Sequence, residues 1–135
     1  MARVVNIDHV SVRESDFAKS KAFYSKLFAF LGFKVLGAYD DAMGWTNGTS
    51  RYWIGQADAP SKHKYRVGEV GLHHLGFELR SRKDVDALAA FVEKLGATIV
   101  DPAGTDVRVG LYDAEFGGQL ANELFATPRK KPREK

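Results

Sequence analysis

The sequence predicts an α+β fold of two tandem β-α-β-β-β modules whose curved, mixed sheets form a half-barrel. Three observations carry this reading. Two amphipathic helical segments lie about 65 residues apart in the 135-residue chain, each between short strand-like runs. Each module then continues through a glycine-punctuated stretch into a further pair of strands, AMGWTNGTSRYWIGQ in the first and VGLYDAEFGGQLANELF in the second. The landmarks also keep step: His9 precedes Gly32 by 23 residues and His74 precedes Gly96 by 22. A period of this length is a duplicated module rather than a solenoid repeat.

The elements follow in order. Strand NIDHVSV opens module one, which spans about residues 4–57. The first helix begins at Ser15-Asp16, either of which can accept from the free N–H groups of a first turn. It carries Phe23, Leu27 and Phe30/Leu31 at helical spacing and stops at Gly32. GFKVLGAY follows as a strand. A linker over 58–70 leads to module two, about residues 71–126, which opens with HHLGFEL. Its helix starts at Ser81, presents Val85, Leu88, Val92 and Leu95 as an apolar stripe, and ends at Gly96 before GATIVDP. Residues 1–127 thus read as one domain, and 128–135 as a basic, disordered tail.

Composition narrows the function classes. Apolar content of 44% and charged content of 27% suit a water-soluble globular protein, and no apolar run is long enough to span a bilayer. The cytoplasm is the expected compartment. With no cysteine, thiolate metal sites, disulfides and cysteine nucleophiles are out. The formal charge of +3 resides in the tail PRKKPREK, which alone carries +4. The body is near neutral, carries no nucleic-acid motif, and is expected to bind no nucleic acid and no membrane.

Two adjacent histidines in HHLGFEL raise the question of a site. Successive strand residues face opposite ways, so His73 and His74 cannot both enter one site. Leu75, Phe77 and Leu79 mark the helix-facing side, which puts His74 on the other face with Gly76 and Glu78. In module one, Val10 and Val12 mark the helix side, and His9 lies opposite with Ser11. His9 and His74 therefore occupy equivalent positions. Each module also ends with an oxygen-bearing side chain at matching separation: Gln56 lies 47 residues after His9, and Glu123 lies 49 after His74. Imidazole and carboxylate without sulfur suit one divalent ion: Zn, Ni, Co, Mn or Fe. The expected ligands are His9, Gln56, His74 and Glu123.

The runs IDHVSVRESDFAKSKAFYSKLFAFLGFKV, RYWIGQ and HHLGFELRSRKDVDALAAFVEKLGATIV carry a family resemblance over about residues 4–126. The chain resembles the vicinal oxygen chelate superfamily, which includes glyoxalases, extradiol dioxygenases, and fosfomycin- and bleomycin-resistance proteins. The resemblance implies the same four ligands, with Asn122 as the alternative to Glu123. It implies that Glu123 also serves as catalytic base in a glyoxalase-like, metal-dependent lyase or isomerase. The substrate would be a small oxygenated compound, including a thiol conjugate. Gln56 stands where bacterial glyoxalases usually carry glutamate. Without it, two histidines and a carboxylate remain, as in ferrous dioxygenases and fosfomycin-type enzymes. The resemblance also implies a homodimer.

A metal-free, bleomycin-resistance-type binding protein is the alternative, as is an extradiol-type dioxygenase. For substrate binding the expected residues are Trp45 and Tyr112 as aromatic lining, with Arg51 and Arg108 favouring an anion.

Overall fold

The computed structural model describes residues 1–59, 70, 72 and 74–101, together with the strands at 107–110, 112–113, 118–119 and 123–128. The chain forms two compact units, Met1–Lys62 and His63–Lys135. Each unit is built on the same plan, as the tandem pattern predicts.

In the first unit, β1 (Val10–Glu14) is followed by α1 (Phe17–Phe30), β2 (Lys34–Ala38), β3 (Ala42–Thr46) and β4 (Arg51–Gln56). The sheet order is β1-β4-β3-β2. β1 and β4 run parallel, with Val10 opposite Tyr52 and Glu14 opposite Gln56; the other pairs are antiparallel. β1 starts later than the apolar pattern suggests: residues 1–9 lie exposed ahead of it, with Val4, Val5 and Ile7 open to solvent.

The local signals that frame α1 act as expected. Asp16 is the N-cap, its carboxylate accepting from the Lys19 amide at 3.1 Å. At the other end Gly32 takes φ 82°, and the Phe33 amide donates back to the Phe28 carbonyl at 2.8 Å. This left-handed closure suits glycine because a Cβ would be strained there.

Helix α1 packs against β3 and β4. Period-2 alternation sends Met43 and Trp45 of β3 and Tyr52 and Ile54 of β4 to the helix side, all nearly inaccessible. They meet Tyr24, Leu27 and Phe28 in an aromatic core. The Phe28 ring lies 5.0 Å from that of Trp45 and 5.3 Å from that of Tyr52. Offset ring contacts of this kind add to the gain from burial itself. Gly44 and Trp53, one residue out of phase, occupy the opposite face.

The second unit runs β5 (His74–Leu79), α2 (Arg82–Lys94), β6 (Thr98–Asp101), β7 (Val107–Gly110), a two-stranded ribbon of β8 (Tyr112–Asp113) and β9 (Gly118–Gln119), and β10 (Glu123–Pro128). Its main sheet has the order β5-β10-β7-β6, with β5 and β10 parallel. This is the topology of unit one repeated. Ser81 caps α2 by accepting from the Asp84 amide at 3.2 Å, Val85, Leu88 and Val92 are buried, and Gly96 at φ 81° closes the helix. The copies differ most in the connection before the last strand. In unit one β3 and β4 are joined by residues 47–50, whereas in unit two residues 111–122, with the β8-β9 ribbon, lie between β7 and β10.

Candidate metal and substrate site

Exposure alternates along both strands that the histidines precede or open. In β5 the side chains alternate, His74, Gly76 and Glu78 being exposed and Leu75, Phe77 and Leu79 less so. In β1 Ser11 and Arg13 are exposed while Glu14 is fully buried. His74 stands directly opposite Glu123 across the parallel β5-β10 pair. His73 and Asn122 lie outside the described residues, as does the side chain of Glu123.

The corresponding register in unit one holds a different residue. The ladder begins at the Val10–Tyr52 pair, and His9 and Arg51 are the residues just before it. Asp8 links the two: its Oδ2 lies 2.8 Å from His9 Nδ1, and its Oδ1 accepts from Arg51 Nη1 at 3.3 Å. Both contacts hold the Asp8 carboxyl below its ordinary range, the hydrogen bond from His9 first and the Arg51 charge second. An ionised carboxylate can only accept, so Nδ1 of His9 is the donor, and in the neutral imidazole this leaves Nε2 as the acceptor. The cluster is exposed, so it orients the imidazole more than it stabilises the fold.

Gln56 departs from the expected ligand set. It faces the helix, in phase with Tyr52 and Ile54, and is paired with Glu14 at the far end of the strand from Arg51. It lies five positions along β4 from Arg51, about 16 Å at roughly 3.3 Å per residue. Its carboxamide is engaged there: Oε1 accepts from the Phe17 amide at 3.0 Å, and Nε2 donates to the carbonyls of Ser15 at 3.1 Å and Glu14 at 3.3 Å. Gln56 fastens the start of α1 and is no partner of His9. Counting residues from each histidine matched it to Glu123, because module two carries extra residues before its last strand. The useful signal was parity, since Gln56 continues the Tyr52–Ile54 phase.

Trp45 is also corrected. It is 2% exposed and sits in the α1 core, not on a substrate surface. Arg51 is partly exposed beside His9. Arg108 lies on β7 opposite Phe125, and Tyr112 on β8 opposite Gln119; their side chains lie outside the described residues. Among the described residues, no three His, Asp or Glu side chains gather into a metal-holding group.

One group went unnoticed in the sequence. Glu14 is fully buried between β1 and α1, its Oε2 accepting from Ser20 Oγ at 3.1 Å while Oε1 has no partner among the described residues. Burial raises its pKa to about 7, against a smaller downward effect of the Ser20 bond. The buried Tyr24–Tyr52 hydroxyl pair nearby is pushed up by its own desolvation.

Comparison with known proteins agrees with this architecture. The model of the Glyoxalase/Bleomycin resistance protein/Dioxygenase superfamily matches residues 6–129. No curated protein sequence matches the chain. Among solved structures, a glyoxalase/bleomycin resistance protein from Albidiferax ferrireducens T118 is 24% identical over 92% of this chain and 98% of that one, with a TM-score of 0.66. A lactoylglutathione lyase from Agrobacterium tumefaciens is 17% identical over 94% and 96%, with a TM-score of 0.62. The fosfomycin resistance protein FosX from Listeria monocytogenes, in complex with Mn(II) and sulfate, is 13% identical over 95% and 93%, with a TM-score of 0.62. At these identities the likeness is one of fold.

Proposed function

The chain belongs to the glyoxalase/bleomycin resistance protein/dioxygenase superfamily, and from that premise we propose that it is a metal-dependent lyase or isomerase acting on a small oxygenated anion. A divalent ion would be held by His9, His74 and Glu123, without Gln56. The observation that carries this reading is the Asp8–His9 contact at 2.8 Å, which fixes the tautomer whose Nε2 can ligate. A carboxylate holding the far nitrogen is the usual outer support of a metal-bound histidine. The His74–Glu123 register supports the other two ligands.

Two imidazoles and one carboxylate would be the ligands, and such a set would leave room for substrate oxygens. A bound divalent ion supplies Lewis-acid stabilisation of the negative charge that develops on those oxygens. The carboxylate of Glu123 takes a proton from one carbon and returns it to its neighbour, a task within reach of a carboxylate and not of an amide. Arg51 offers its guanidinium to an anionic end of the substrate, and Asp8 holds both Arg51 and the His9 ring in place.

The test is elemental mass spectrometry on protein purified without chelator, followed by assay on methylglyoxal–thiol hemithioacetals. About one divalent ion per chain is expected, lost in His9→Ala and His74→Ala and kept in Gln56→Ala. A chain that neither retains nor takes up added divalent ions would overturn this reading. It would favour a metal-free ligand-binding protein, for which the placement of Arg51 beside His9 is the supporting observation.

A further inference from the structure

The face of the first sheet that carries His9 has a second built feature, around Trp53. Register and parity put Trp53 in phase with Arg51 and Gly55 on β4, and opposite Gly44 on β3. A Cβ added to Gly44 would be almost equidistant from Cδ2, Cε2 and Cε3 of the indole, and closer than any real Cβ contact. Those three atoms belong to the six-membered ring, so such a point lies over the ring's face and not at its edge. One strand further, a Cβ at Gly37 would come within 2.9 Å of Trp53 Cη2. The indole therefore lies flat across β3 and β2 in a bed of two glycines. Tyr39 extends the surface, its ring 6.3 Å from that of Trp53 and inclined by 23°.

One π-face of Trp53 is covered by the glycines, and the other is directed away from the sheet. Two guanidinium side chains belong to the same face. Arg51 lies two residues before Trp53, and Arg13 of β1 lies across Gly55, its Nη1 2.6 Å from where a Cβ would stand. Asp8 offsets one of the two cations.

We propose that Trp53 is a stacking platform for a planar, conjugated anion, an aryl carboxylate in its simplest form, with Arg51 as the countercharge. The proposal names the substrate class for the face described above; it rests on that face being the substrate side and not on the metal. A flat ring gains stacking on indole that a puckered ring of equal size does not, and a guanidinium pairs with a carboxylate in a way it cannot with a neutral amide.

Equilibrium dialysis with benzoate, cyclohexanecarboxylate and benzamide tests this, on chelator-treated and on metal-loaded protein. The expected result is at least tenfold tighter binding of benzoate than of either analogue, with or without metal. Trp53→Leu should abolish the preference over cyclohexanecarboxylate, Trp53→Phe should keep it, and Arg51→Met should abolish the preference over benzamide. Equal binding of benzoate and cyclohexanecarboxylate by the unaltered protein overturns the proposal, as does a preference that survives Trp53→Leu. Should Trp53→Leu not fold, the ratio in the unaltered protein and in Trp53→Phe decides. Benzoate binding that appears only with added metal overturns the platform and leaves the metal reading standing. The preference seen in metal-free protein upholds the platform whatever the metal analysis gives.

Discussion

The backbone amide of Phe17 donates to Oε1 of Gln56 at 3.0 Å, tying the first residue of α1 to the last residue of β4. With the two bonds from Nε2 to the Glu14 and Ser15 carbonyls, one side chain closes the β1–α1 connection. Gln56→Ala removes three hydrogen bonds, two of them partly buried, and leaves an N-terminal amide of the helix without its acceptor. We expect a loss of about 1–3 kcal/mol by urea unfolding, with metal content unchanged. A variant that keeps its stability and loses its metal would return Gln56 to the ligand set.

Glu14 makes stability fall as pH rises. Its carboxyl ionises near pH 7 in the folded chain, against 4.5 ordinarily. Below 4.5 both states are protonated and no difference arises. Between 4.5 and 7 the unfolded chain ionises while the folded chain does not, so stability declines by up to about 1.4 kcal/mol per pH unit. Above 7 the loss levels off at about 3 kcal/mol. Glu14→Gln should remove this slope. Denaturation of both proteins at pH 5 and pH 8 measures it, and an equal pH dependence in the two would exclude Glu14 as the source.

Asp8→Asn replaces an obligate acceptor by a side chain that can turn either way. The His9 tautomer is then no longer fixed and Arg51 loses its ion pair. Metal affinity should drop about 10- to 100-fold, read by competition with a chromogenic chelator, while the melting temperature stays within a degree or two because the cluster is exposed. Unchanged affinity would mean that Asp8 gives His9 no support.

Glu123→Gln separates holding the ion from moving the proton. Turnover should fall by about 10²- to 10⁴-fold, more than metal occupancy does, whereas His74→Ala should lose both together. Full activity of Glu123→Gln would remove its role as base.

The parts of this molecule legible in the sequence were the local ones. Asp16 and Ser81 cap their helices and Gly32 and Gly96 close them, each through contacts within a few residues. The side occupied by His74 was also legible, because alternation along one strand needs no knowledge of its neighbour. What escaped depends on pairing between strands. Arg51, and not Gln56, shares Asp8 with His9, and the unequal connections before β4 and β10 hide this from any count of residues. Trp45 and Trp53 lie on nearby strands, yet one is core and the other faces away from the helix. That assignment was available from the phase of Met43 with Trp45 and of Tyr52 with Ile54. Glu14 carries no signal in the sequence, because its burial beneath α1 is a property of packing.

The register positions of Arg51 and Glu123 correspond in the two halves, each opening the strand beside a histidine. Repetition of one module would have begun with like residues at both places, so their opposite charges record divergence between the copies. Each copy can then vary alone: one half keeps a donor, and the other is free to recruit a cation. Arg51→Glu would place a further oxygen donor beside His9 and take away the group that attracts an anion. On the proposed ligand set, a single substitution at this position would trade a group that attracts an anion for one that donates oxygen to a metal.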